Sequence, residues 1–361
     1  MKKKIKDLCI VSDCLHITPQ YEQEGYPMVR VSEIGNNILD LKETLKISEE
    51  NYQIYTSNYT PQRGDIILAR VGAFLGQFSY ADTDEKFCIG QNTTIIHPHK
   101  CGKYIYYNLI SEMTQKRLRK EAAGSAYKSV GVDAIKNFEI DMPDEISANR
   151  IGELLYSIDY KIQLNRKIND NLSSMAYDIY MHTFFSKKPN GKLKDVLIEA
   201  EKSSVQVGEA KISNGDFPFF TSGAAILKWQ EPFVDGRYCF LNTGGNADVK
   251  FYVGQAAYST DTWCISAQKE LSDYLYLLLL SIQPELDQKF FQGTGLKHLQ
   301  KPLLKDRPIY IPIETEIEVF NQQVIPMFDT ISANFKENQH LIALRDWLLP
   351  MLMNGQATIE D

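Results

Sequence analysis

The sequence predicts a mixed α/β (α+β) fold made of two similar globular modules, each followed by a long helix. Three observations carry that prediction. The first is an internal repeat, the signature of an architecture built from copies of one unit. Lys4-Ile5-Lys6-Asp7-Leu8 recurs as Lys192-Leu193-Lys194-Asp195-Val196, an offset of 188, and Tyr26-Pro27 recurs as Phe217-Pro218. Further on, Gly124-Ser125-Ala126-Tyr127-Lys128 matches Gly293-Thr294-Gly295-Leu296-Lys297 at an offset of 169, which also takes Pro143 to Pro312. The offsets differ by 19, so the first copy carries a longer insertion between its start and the Gly-Ser-Lys region.

The second observation is that each copy begins with β-branched and aromatic runs bounded by turn residues, the signature of strands. Residues 64–71, 93–96, 237–241 and 262–265 are such runs. Helical patterns are expected at 104–120 and 273–290, and short apolar strands at 138–142 and 309–311 end at Pro143 and Pro312. The acids that follow, Asp144, Glu145, Glu314 and Glu316, suit the first turn of a helix, where they complement its dipole.

The third observation is the pattern of those helices. Ile151, Leu155, Ile158, Ile162, Asn165, Asn169, Leu172, Ala176 and Ile179 recur at alternating steps of four and three, the spacing of a coiled-coil seam. Phe320, Val324, Met327, Ile331, Asn334, Asn338, Leu341 and Leu348 repeat it, with Arg345 as the one break. Asn165, Asn169, Asn334 and Asn338 occupy seam positions, where a buried amide weakens a helix pair while fixing its register. The first helix, roughly 38 residues long, would span about 57 Å at ~1.5 Å per residue.

At 361 residues, with 43% hydrophobic and 24% charged side chains, the chain can build sizeable cores and is not a disordered polyelectrolyte. Six cysteines, at 9, 14, 88, 101, 239 and 264, form no CxxC pair, so neither a zinc ribbon nor a disulfide framework is indicated. The basic start is not followed by an apolar run long enough for an export signal, and residues 274–282 reach only about half a membrane span of ~20 residues. A cytoplasmic location is expected. Net charge is −7, but the tail from Glu314 onward carries −6 of it. Residues 103–136 hold seven bases against three acids, so a basic patch can sit on an acidic whole.

Two similar modules on long helices suit two similar targets at a fixed separation, and two half-sites on DNA are such a target. The residues that sharpen this are the run 63–72 beginning Arg63-Gly64-Asp65, the strand at Gln91-Asn92-Thr93, the 124–128 loop ahead of 138–143, and the helix end from Leu348-Leu349-Pro350 to Asn354-Gly355. In this order and duplicated, they resemble the specificity subunits of type I restriction-modification systems over essentially the whole chain. The resemblance implies two target recognition domains, at 1–145 and 189–312, separated by helices at 146–188 and 313–361 that pack as an antiparallel pair. It further implies double-stranded DNA with a bipartite site, two methyltransferase subunits and motor-nuclease subunits as partners. The second module departs from the first: Asn242-Thr243-Gly244-Gly245 stands where 69–72 stands, without an arginine, and Ser259-Thr260-Asp261-Thr262 replaces 90–93. Each module should therefore prefer a different half-sequence. Two other readings fit modules on helices, a stand-alone DNA-modifying enzyme and a protein-only adaptor.

The loops 124–129 and 293–298 are the foremost candidates for DNA contact. Glycine lets backbone approach a phosphate and a lysine four residues on supplies a point charge, which singles out Ser125, Lys128 and Lys297. Tyr127 and His298 beside them are suited to stacking on or hydrogen-bonding a base edge, or to partial burial. Arg70, at a strand end, is placed either to reach a base bidentately or to form a surface ion pair. Asn92, Thr243 and Arg30 are weaker candidates of the same kind. Lys116, Arg117, Arg119 and Lys120 form a basic helix face, solvated or facing phosphates.

Catalytic patterns are absent or weak. The chain has no Pro-Pro dipeptide, hence no amino-methyltransferase motif of the form Asn/Asp-Pro-Pro-aromatic, and neither GxGxxG nor a GxxxxGK[ST] phosphate loop. No cofactor is expected. Asp84-Glu85-Lys86 after Asp65 faintly resembles a metal-dependent nuclease set but reads better as a charged turn. His97, His99 and Cys101 alternate as ligands on one strand face would, yet Pro98 and the lack of a fourth ligand argue against a metal.

Overall fold

The computed structural model describes residues 1–122 and 129–359. The chain forms two compact units, one from Met1–Leu164 with Asn338–Asp361 and one from Asn165–Glu337. Each of the two long helices, Glu145–Thr183 and Glu314–Met353, contributes its ends to different units.

In the first unit a sheet orders its strands as Cys9–Asp13, Thr93–Pro98, Ile66–Ala69, Phe78–Tyr80 and Asn37–Ile38. A smaller sheet joins Tyr26–Val29 antiparallel to Leu45–Ile47 and parallel to Cys88–Ile89. One sheet face is covered by the helix Gly102–Ile110, whose Tyr104, Ile105, Tyr106 and Tyr107 are buried with Ile66, Leu68, Phe78 and Ile96. Ala148, Ile151, Leu155, Leu352 and Met353 of the long helices close the same core. The helix expected over 104–120 is two helices, Gly102–Ile110 and Glu112–Ala122. Ser111 takes an extended ψ of 147° and bonds its hydroxyl to Asn108 O at 2.7 Å, leaving the ladder between them broken.

The second unit repeats this plan. Its sheet runs Leu197–Glu199, Thr262–Ala267, Val234–Asn242, Val249–Tyr258, Phe217–Phe220 and Ile226–Trp229. The repeat holds bond by bond. Lys4 faces Glu139 as Lys192 faces Pro308, and Cys9 faces Pro98 as Leu197 faces Ala267. Met28 runs parallel to Cys88 as Phe219 runs parallel to Ala257. The extra length of the first copy lies between Val29 and Ile66, where Asn37–Ile38 and the helix Glu49–Tyr55 are added. The pattern at 273–290 is helical only over Ser272–Ser281, and Pro284 then opens a short turn before a π-helical stretch, Leu286–Phe290.

The first long helix is capped by Asp144, which accepts from Ser147 N at 3.0 Å. The second ends in a Schellman turn: Gly355 has φ +67°, Gln356 N donates to Met351 O and Gly355 N to Leu352 O. Leu155, Ile158, Ile162 and Asn165 are buried on the seam of the first helix, Phe320 and Val324 on that of the second. In the second unit Asn334 Nδ2 donates to Asn169 Oδ1 at 2.8 Å and Asn165 Nδ2 to Glu337 Oε2 at 2.6 Å, so the helices run antiparallel there. In the first unit Asn338 Nδ2 reaches Ile162 O at 3.4 Å. Arg345, the break in the pattern, binds Asp159 at 2.7 Å, and the Asp159 carboxylate also accepts from Tyr107 OH at 2.7 Å.

The seam amides make direct hydrogen bonds across the pair, which resist sliding by a turn better than apolar contacts do. Replacing Asn165, Asn169, Asn334 and Asn338 together with Leu removes both members of the central pair and should raise the melting temperature by a few degrees while loosening register and oligomeric state. Thermal melts with sedimentation would check this. A variant that melts lower and stays monomeric would make the amides structural groups without a register role.

Candidate nucleic-acid interface

Three chain segments meet at one edge of each unit, where a central strand of its sheet ends. In the first, the strand Ile66–Ala69 ends in a turn at Gly72, whose φ of +69° suits glycine. Arg70 N donates to Asn92 O at 2.9 Å and Val130 N to Arg70 O at 3.1 Å, with Val71 bridged to Ser129. In the second, Thr243 N donates to Asp261 O at 3.0 Å and Leu299 N to Thr243 O at 3.0 Å, with Gly244 bridged to His298 and Gly245 at φ +85°. The backbone frame is the same. The side chains on it differ.

Of the residues singled out in the sequence, Arg70 and Asn92 are thus brought together, as are Thr243, Lys297 and His298. Ser125, Tyr127 and Lys128 lie outside the described residues, next to Ser129 of this frame. Asn92 has φ +63°, a left-handed conformation that Asn tolerates better than most residues. Gly293 is required by its surroundings, since at φ +152° a Cβ would stand 2.5 Å from Leu296 O. Lys297 Nζ sits 2.8 Å from Asp287 Oδ2, and this hydrogen bond holds the Asp287 carboxyl below its usual range. The pair is half-exposed and therefore worth little on its own, so a phosphate can take over the lysine at small cost. His298 is exposed, and Thr243 Oγ1 donates to Asp261 O at 3.0 Å.

Arg70 follows the ion-pair alternative. Its guanidinium is 11% exposed, with Nη2 at 2.7 Å from Asp13 Oδ1 and 3.8 Å from Cys14 Sγ. Arg30 is likewise engaged: Nε donates to Glu33 Oε2 at 3.2 Å, and the two carboxylate oxygens share the remaining contacts of that ion pair. On the helix Glu112–Ala122, Lys116, Arg119 and Lys120 are exposed, with Lys116 at 2.7 Å from Glu112. Arg117 instead turns inward to Glu139 O at 2.9 Å and over the Phe138 ring.

The weak catalytic patterns fall to different partners. Asp65 is fully buried and accepts from His97 Nδ1 at 2.8 Å, Tyr59 OH at 2.9 Å and Gln62 N at 2.8 Å. Burial pushes its carboxyl up, against those three donors. Asp84 is held by Arg63, at 2.9 Å from Nε and 2.7 Å from Nη2, so the acids of the nuclease-like pattern have separate tasks. His97 is bound to Asp65, and Cys101 Sγ lies 3.9 Å from Glu145 O. Among the described residues the group with ligand atoms within 4.8 Å of one another is Asp13, Cys14 and His16, where Arg70 already occupies Asp13 and Cys14 packs into an apolar core.

Sequence reasoning missed Asp13, which holds Arg70, and Asp287, which holds Lys297. A carboxylate distant in sequence leaves no signature in spacing. It missed Asp159 as well, the acid that faces Arg345 at the break in the pattern.

The chain belongs to the family described as type I restriction modification DNA specificity domain, whose model matches residues 1–174 and again 187–343. It is 21% identical over 306 residues to the type I restriction enzyme MjaIX specificity subunit of Methanocaldococcus jannaschii, covering 72% of this chain and 70% of that protein. It is 19% identical over 180 residues to the HindI specificity subunit of Haemophilus influenzae, covering 48% of this chain and 39% of that one. A crystal structure of the type I restriction-modification system S subunit from M. genitalium shares the fold, with a TM-score of 0.66 at 14% identity over 98% of this chain and 95% of the other. Among the described residues no helix is long and apolar enough to cross a membrane.

Proposed function

We propose that the chain is the DNA-recognition subunit of a type I restriction-modification complex, with target recognition domains at 1–145 and 189–312 that each read one half of a bipartite duplex site. The observation that carries this reading is the twofold occurrence of one backbone frame with different side chains, Asn92 beside the ion-paired Arg70 in one copy and Thr243, Lys297 and His298 in the other. A common frame places two readers alike, and unlike side chains give them unlike sequences. The helices, at 146–188 and 313–361, dock two methyltransferase subunits, and motor-nuclease subunits join that core. The chain contributes recognition and no catalysis, needs no cofactor, and acts in the cytoplasm.

The test is duplex binding by the complex reconstituted with its methyltransferase subunit. Lys297→Ala is expected to weaken binding to all duplexes alike and to lower the slope of log affinity against log salt by about one, as the loss of a phosphate contact does. Unchanged affinity and slope would take this loop out of the interface. Absence of any duplex preference in the wild-type complex would favour the protein-only adaptor.

A further inference from the structure

The two units match strand by strand, and the loops between matched strands are what the fold leaves free. Before Asp13 the units correspond at an offset of 188, through Cys9 opposite Pro98 and Leu197 opposite Ala267. From Tyr26–Val29 onward they correspond to Phe217–Phe220 at an offset of 191. The loops between, 14–25 and 202–216, have twelve and fifteen residues and share no recognisable sequence. Here, as in the added stretch between Val29 and Ile66, a common frame carries unrelated content.

Both loops are stitched to the three-segment edge. Asp13 binds Arg70, and Gln91 Nε2 reaches Thr18 Oγ1 at 3.5 Å, while Tyr55 OH fixes Ile17 O at 2.7 Å. In the second unit Thr260 N donates to Val205 O at 2.9 Å, and Thr260 is the counterpart of Gln91. Glu22 N bonds to Lys46 O, so the first loop is tied back to a strand beyond that point and the stretch beside the edge is 16–20. Exposed there are His16, Thr18 and Gln20, and in the second loop Ser204 and Gln206. These side chains contribute little to a core. They do carry the donors and acceptors that distinguish base edges.

We propose that 16–20 and 204–206 are base-reading elements, which take the base edges of duplex DNA in a groove and set part of each half-sequence. Arg70 and Asp13 then act as positioning residues that hold the root of the first element. This assignment rests on the DNA-recognition reading above.

The experiment maps methylated sequences in cells carrying the full chain with its methyltransferase subunit. His16→Ala with Gln20→Ala should admit additional bases at one or two positions of one half-sequence, raising methylation of the mismatched sites ~10-fold or more. The other half and the spacer should be unchanged. Gln206→Ala should do the same in the other half. His16→Gln with Gln20→Asn, which keeps hydrogen-bonding groups of altered reach, should shift the accepted base and retain methylation. Melting temperatures should stay near wild type, because these side chains face solvent. Unaltered halves in all variants would overturn the assignment while leaving DNA recognition standing, as would a uniform loss of methylation with unchanged melting. A wild-type complex without any bipartite motif would sink both.

Discussion

Replacing residues 189–312 with the corresponding stretch of another family member is expected to change one half of the methylated sequence completely and to leave the other half and the spacer as they were. The second unit builds its sheet, its Phe217–Phe220 to Val249–Tyr258 pairing and its Gly244 to His298 bridge from its own residues. Its interface side chains are therefore set locally. The segment also begins at the Gly191–Lys192 strand and ends just past Pro308–Ile309, which pair with each other, so the exchanged piece is closed at its root by its own strand pair. Mapped methylation motifs decide the matter. A swap that altered both halves, or the spacer alone, would move the task of recognition from module to helix.

The largest effect on stability is expected at Asp159. Its carboxylate, 7% exposed, accepts from Arg345 Nη1 and from Tyr107 OH, and Tyr107 is itself fully buried. Asp159→Ala leaves a mostly buried guanidinium and a buried hydroxyl short of an acceptor, and breaking such a pair from one side costs ~3–5 kcal/mol. Arg345 keeps its contact with the exposed Asp346 at 2.7 Å, which places the expected loss near the lower end, about 3 kcal/mol. Replacing all three polar partners, Asp159→Leu with Arg345→Met and Tyr107→Phe, should recover most of it, since an apolar set of similar volume carries no desolvation cost and leaves no hydroxyl without an acceptor. Denaturant unfolding of the two variants measures this directly. A single-variant loss under ~1 kcal/mol would mean that Arg345 reaches water once released.

The repeat and the seams were legible because they are periodic, and periodicity survives without knowledge of contacts. Lys4 with Lys192, Tyr26 with Phe217 and Pro143 with Pro312 each mark equivalent points of the two units. The break at Ser111 was not legible: the apolar spacing continues through it, and only a local hydroxyl-to-backbone bond ends the ladder. Candidate interface residues could be named one by one, but their state depends on acids far off in the chain. Arg70 lies 57 residues from Asp13, so spacing showed the arginine and concealed its partner. The loop 14–25 was not legible for a related reason. It has no periodicity to detect, and its significance emerges only when it is aligned in space with 202–216.

The first unit is discontinuous, and this fixes an order of events during synthesis. Its core includes Leu352 and Met353, buried at 4% and 6% exposure beside Tyr104, Ile151 and Leu155. All of the second unit, by contrast, has been made once residue 337 is added. The part of the chain made first therefore waits with an apolar face open until Leu352 and Met353 leave the ribosome, while residues 165–337 can already fold as a unit. Completion of the first module therefore requires synthesis past Met353, so a chain broken off within Glu314–Met353 exposes the very module that was synthesised earliest.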